Sequence, residues 1–260
     1  MLRGFSRLQH ARPHVIATAQ IIIILAGALA GGFVNGLTGF GTGLTAMGLW
    51  PYALSPAVAA TLVLVCSVVS QLQTLPMIWH AVEWRRVLPF VLPGLVGVPL
   101  GTLLVSMVSA QAFKIGVGLF LVAYTTYALT RKRETKGVDG GGRVADGAAG
   151  FCGGVLGGLA GFSGPPVILW TDIRGYTKDY RRSILQVFNL SILAAALLSH
   201  AVSGLLTRQV WFAAAIALPA TICGVWAGGR AYKELGDRGF QRIVLTLLLV
   251  SGIILIWTSR

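Results

Sequence analysis

Two stretches of this chain set glycine beside small hydroxyl and amide residues in a pattern that could hold an anion without a buried cation. The first reads Gly31-Gly32-Phe33-Val34-Asn35-Gly36-Leu37-Thr38-Gly39-Phe40-Gly41-Thr42-Gly43. The second reads Gly153-Gly154-Val155-Leu156-Gly157-Gly158-Leu159-Ala160-Gly161-Phe162-Ser163-Gly164-Pro165-Pro166. Glycine at this density predicts an interrupted helix. Thr42 is placed to cap a helix after the first interruption, and Ser163-Gly164 ahead of Pro165 marks a second helix start. A helix start in a low-dielectric cavity offers unpaired N–H groups and a partial positive charge, which suit an oxyanion. Gly39, Phe40, Gly41 and Thr42 are therefore candidate substrate-binding residues, as are Gly161, Phe162, Ser163, Gly164 and Pro165. Asn35, beside the first interruption, joins them. So do Gln186 and Asn189, which share one face of a later helix and can donate to an oxyanion's oxygens. Hydrogen bonding between helices competes with this role, most strongly for Ser67, Gln71 and Gln73.

The two stretches are copies. Gly31-Gly32, Gly36-Leu37 and Gly39-Phe40 recur as Gly153-Gly154, Gly158-Leu159 and Gly161-Phe162, each 122 positions on, and Asn189 stands at the same offset from Ser67. Gly31, Gly32, Gly153, Gly154 and Gly157 read as close-packing positions, as do the pairs Gly97/Gly101 and Gly224/Gly228. A duplicated, interrupted apolar segment fits a membrane protein with two related halves and a site between them.

The surrounding composition is that of a polytopic helical membrane protein. Of 260 residues, 55% are hydrophobic and only 11% charged, with a mean hydropathy of +0.76, too apolar for a soluble domain of this size to hide. No Asp, Glu, Lys or Arg occurs from Pro13 to Val82. Long spans are expected at about 15–38, 57–79, 87–109, 112–130, 144–162, 183–206, 209–229 and 240–257, with shorter apolar pieces at Thr42–Leu54 and Pro165–Thr171. The fold class is all-α. Residues 1–14 form an N-terminal segment, 15–130 a first transmembrane repeat, 131–143 a basic linker and 144–260 a second repeat.

Loop charge chooses between two topologies. Eight simple crossings with the N-terminus inside place 12 Lys/Arg inside and 9 outside. If each glycine phrase instead turns a broken hairpin and the N-terminus is outside, 15 lie inside and 6 outside. The positive-inside rule favours the second arrangement, in which the halves are inverted, over parallel halves. The net charge of +13 therefore belongs to cytoplasmic loops and not to a nucleic-acid surface.

These residues, in this order, resemble the TauE/SafE family of sulfite exporters and organosulfonate permeases. The likeness rests on Gly161-Phe162-Ser163-Gly164-Pro165-Pro166-Val167 and on Arg181-Arg182 opening the next span. Pro219 with Gly224-Val225-Trp226-Ala227-Gly228-Gly229-Arg230, Val250-Ser251-Gly252, Gly39-Phe40-Gly41 and Trp84-Arg85 carry it further, over about residues 20–257. It implies a multi-pass carrier of small anions, sulfite or a short sulfonate, in a bacterial-type inner membrane. Thr42 departs from the run of three glycines in many relatives. Uptake of a related sulfur oxyanion or carboxylate, an anion channel and a membrane enzyme are the alternatives. Against an enzyme, no metal-ligand spacing and no Ser-His-Asp set is present. No cofactor is called for, and the expected partners are the anion and membrane lipid, with a homodimer left open. Cys66, Cys152 and Cys223 read as small apolar residues, and His80 and His200 as interfacial ones. All eight carboxylates are expected at span ends or in loops, which points to a uniporter or to coupling through protonation of the anion itself.

Overall fold

In the computed structural model the described residues are 13–46, 48–104, 141–160 and 163–257, with scattered helical positions between 111 and 129. Among them are nine α-helices and no strand. They are α1 (Pro13–Thr38), α2 (Thr42–Ala46), α3 (Pro56–Ile78), α4 (Trp84–Leu104), α5 (Gly142–Ala160), α6 (Gly164–Ile173), α7 (Lys178–Val202), α8 (Arg208–Glu234) and α9 (Asp237–Trp257). Short 3-10 turns lie at Trp50–Tyr52 and Trp79–Ala81. Within α1, α3, α7 and α8, the stretches Thr18–Thr38, Ala57–Met77, Asp179–Val202 and Arg208–Glu234 are long and apolar enough to cross a membrane. The expected span at 112–130 and the linker at 131–140 lie largely outside the described residues.

The first interruption is buried and hydrogen-bonded within the protein, as broken backbone at membrane depth requires. α1 stops at Thr38, whose hydroxyl lies 2.8 Å from the Val34 carbonyl and 2.9 Å from that of Phe40. Gly39 (φ 82°) and Gly41 (φ 96°) then turn the chain through left-handed backbone that only glycine adopts without strain. The chain comes back along α1. A β-carbon on Gly31 would sit 3.2 Å from the Thr42 carbonyl oxygen, and the Trp50 indole donates to the Ile24 carbonyl at 3.1 Å. The second copy behaves alike. Gly153 and Gly157 lie against Ser163, and the Trp170 indole donates to Asp146 Oδ1 at 2.6 Å, near the start of α5. Each glycine phrase thus leads into a returning leg anchored by a tryptophan.

Helices remote in sequence interlock. α1 packs most extensively on α8, and α4 on α5. Both crossings are made by glycine. Gly32 and Gly36 face the backbone of Thr221 and Val225, while Gly224 and Gly228 face Leu29 and Phe33 in return. Gly150, Gly154 and Gly158 lie on the backbone of Phe90, Gly94 and Val98. At most of these positions a β-carbon would overlap a backbone carbonyl, so the packing role expected for Gly32, Gly97, Gly154, Gly224 and Gly228 is met by geometry. Between the crossings α3 runs antiparallel to α7: Thr61 pairs with His200 (3.0 Å) and Thr74 with Gln186.

Candidate functional site

A small, part-open cavity lies where the two interruptions meet. The first interruption contributes Phe40, Gly41, Thr42 and Gly43, together with Asn35 from the last turns of α1. The second contributes Ser163, Gly164 and Pro165. α3 adds Ser67 and Gln71, and α7 adds Asn189 and Leu193. The copies meet at Phe40, whose ring a β-carbon on Gly164 would touch at 3.4 Å. Among the described residues the lining holds no charged or titratable side chain.

Most sequence-predicted site residues are brought together here. Asn35, Phe40, Gly41, Thr42, Ser163, Gly164, Pro165 and Asn189 all line the cavity. Gly39 stands behind it, and its carbonyl takes hydrogen bonds from Gln71 Nε2 (2.9 Å) and Asn189 Nδ2 (3.5 Å). Gln186 is not part of the lining. It is buried and donates to Thr74 Oγ1, joining α7 to α3. Gly161 and Phe162 lie outside the described residues. Ser67 and Gln71, read from sequence as helix-to-helix partners, do line the cavity. Their only sequence signal was position: Ser67 is the copy of Asn189, and Gln71 is one turn beyond Ser67 on the same face.

One capping expectation changes, while the proline expected in the first turn after Ser163-Gly164 is there. Thr42 is the first residue of α2, which is only five residues long, and its hydroxyl accepts from Asn35 Nδ2 at 2.9 Å. That leaves the Thr42 hydrogen to turn toward the cavity. Ser163 makes no capping bond, because its hydroxyl donates to Asn189 Oδ1 at 2.8 Å. Pro165 and Pro166 have no N–H, so the first turn of α6 offers the amides of Gly164 and Val167 and not a full set of four. The available donors are therefore hydroxyls, side-chain amides and a few backbone amides, without a formal charge.

Residues 23–255 match the sulfite exporter TauE/SafE family. The chain belongs to that family. It is 29% identical over 231 residues to a Cupriavidus necator protein described as a probable sulfite/organosulfonate exporter TauE, a match covering 86% of this chain and 88% of that one. No solved structure matches. With its apolar helices, this TauE/SafE protein is a multi-pass membrane protein.

The residue that sequence reading undervalued is Arg182. Loop counting made it a cytoplasmic loop cation, yet its side chain is 0% exposed. Its guanidinium donates to the carbonyls of Gly36 (2.5 Å) and Leu37 (3.2 Å), in the last turn of α1. Its stem lies against Gly39, and its Cζ sits 3.8 Å from the centroid of the Tyr232 ring. Tyr232 in turn donates to Asp179. A helix C-terminus carries a partial negative charge, so α1 ends by pointing an unfavourable field at the first interruption. Arg182 covers that end. Its neighbour Arg181 is also buried and pairs with Asp172 at 2.5 Å, joining α7 to α6. Two adjacent arginines thus fix the end of α1 and the end of α6 to the same helix. Composition alone gives no sign of this, since each partner is remote in sequence or is a bare carbonyl.

Proposed function

We propose that this protein carries sulfite or a short organosulfonate outward across a bacterial-type inner membrane, with the anion held in the cavity between the two interruptions. The observation that carries the reading is the convergence of both glycine phrases on one cavity lined by neutral hydrogen-bonding groups. Thr42 Oγ1, Ser67 Oγ, the Gly164 N–H and the remaining amide hydrogens of Gln71 and Asn189 supply the donors. A pyramidal oxyanion needs several convergent donors, set here among a few apolar walls such as Phe40 and Leu193. Neutral donors also bind weakly enough to release, which a carrier requires.

Three features support inverted halves moving by alternating access. The returning legs of both phrases, each with its tryptophan anchor, fit broken hairpins rather than crossings. α3 and α7, equivalent at the 122-residue offset, run antiparallel, as inverted copies would and parallel copies would not. Arg86 lies over the Tyr180 ring at 5.5 Å, so the segments entering α4 and α7 share one side. Eight simple crossings would separate those segments. In the hairpin topology both are cytoplasmic, the first repeat covers 15–130 and the second 144–260.

Reconstitution tests the reading. The protein in liposomes preloaded with sulfite should show saturable counterflow of labelled sulfite, and Ser163→Leu, which fills the cavity, should abolish it while leaving membrane insertion intact. Non-saturating flux would favour a channel. Counterflow of a carboxylate with no response to sulfite would favour the uptake alternative.

A further inference from the structure

Two buried acceptor atoms of the cavity lining, Asn35 Oδ1 and Gln71 Oε1, are left without a partner by the protein's own hydrogen bonding. Gln71 is 0% exposed and lines the cavity. Its Nε2 donates to the Gly39 carbonyl at 2.9 Å, and a carbonyl can only accept, so the amide cannot be turned over. Oε1 is thereby fixed as an acceptor, and nothing donates to it. Asn35 Oδ1 is the other unpartnered acceptor, but its amide rests on a hydroxyl, Thr42 Oγ1, and so is less firmly oriented than that of Gln71; with Nδ2 donating to Thr42, the Thr42 hydrogen stays free for the cavity. Asn189 is engaged at both ends, by Ser163 and by Gly39. A buried acceptor with no donor is costly, and a fully deprotonated oxyanion would turn more lone pairs toward it.

We infer that the cavity selects an oxyanion that still carries a proton, hydrogensulfite in its O–H form over sulfite, with Gln71 Oε1 accepting that O–H. The inference rests on the reading of the cavity as the anion site. No lining residue titrates, so the proton arrives with the anion and is not lent by the protein. The titratable groups on the surrounding helices are engaged elsewhere. Cys66 of α3 is buried outside the lining, and His200 of α7 pairs with Thr61. Arg182 covers the end of α1 beside Tyr232 and Asp179, and Arg181 pairs with Asp172. Each turnover would then move one negative charge per sulfite and one proton with it, with no carboxylate relay.

The test compares two monoanions of the same shape that differ by one proton. At mildly acidic pH methylphosphonate carries a P–OH, whereas methanesulfonate carries none. Against the full-length protein in detergent, methylphosphonate should displace labelled sulfite on the order of tenfold better than methanesulfonate. Sulfite affinity should rise on acidification in step with the hydrogensulfite fraction. Gln71→Met, if it folds, should erase the difference between the two monoanions. Equal or better binding of methanesulfonate, or a sulfite affinity indifferent to pH, would overturn proton selection and leave the anion site standing. Failure of sulfite itself to bind the wild-type protein would overturn both.

Discussion

Arg182 separates two jobs that a cation near an anion site could do. It does not line the cavity; it holds the end of the helix that borders it. Its value lies in geometry and field: a planar fork reaches two successive carbonyls and stacks on Tyr232 at once. Lysine keeps the charge and cannot make that fork. Arg182→Lys should therefore remain folded but bind sulfite about tenfold more weakly, as calorimetry would register. Arg182→Met leaves two buried carbonyls without their donors and should cost about 2–4 kcal/mol in thermal unfolding. At this scale the sequence was half legible. Thr42, Ser163 and Asn189 announced themselves as polar residues at glycine interruptions or at a repeat-related position. Arg182 and Gln71 did not, because what distinguishes them is a backbone carbonyl from another part of the chain, at Gly36 and at Gly39. Such partners leave no trace in residue type.

At the scale of elements, the two returning legs are held by tryptophans rather than by their own length. α2 and the turn after it are too short to be stable alone, and the Trp50 indole ties them to Ile24. Trp170 does the same for α6 through Asp146. Replacing either by phenylalanine keeps the ring and deletes the donor. Hydrogen exchange should then quicken in Thr42–Ala46 for Trp50→Phe and in Gly164–Ile173 for Trp170→Phe, each in its own leg and not in the other. The glycine crossings make an opposite demand. Alanine at Gly36 or Gly154 would drive a β-carbon into the backbone of Val225 or Gly94, an overpacking cost of about 1–3 kcal/mol in thermal unfolding. Gly116→Ala, with nothing within 4 Å of the new carbon, should be close to neutral. Sequence periodicity found these helices and their glycine seams, since small residues repeat at helical spacing. It could not find which helix each seam meets: α1 chooses α8 and α4 chooses α5.

Across the whole molecule, the arrangement we propose is of two inverted halves around the cavity. Equivalent helices α3 and α7 face each other in opposite directions, and the glycine helix of each half is clasped by a helix of the other. Charge counting in the sequence favoured this topology by a margin that included Arg181 and Arg182, which are buried and so are poor witnesses. The contact of Arg86 with Tyr180 is independent support for the same sidedness. A single cysteine at Thr177, in the turn before α7, should accordingly be labelled by a membrane-impermeant maleimide only from the cytoplasmic side; labelling from the outside would restore eight simple crossings.

The central claim is that the anion lies between the two interruptions, and selenite can place it directly. Selenite has the shape of sulfite and a heavy atom whose anomalous scattering marks its position. In crystals grown with selenite, the selenium peak should fall within hydrogen-bonding reach of Thr42 Oγ1, Ser67 Oγ and the Gly164 amide. A peak on a loop or at a helix end outside the cavity, with the cavity unaltered, would contradict the account.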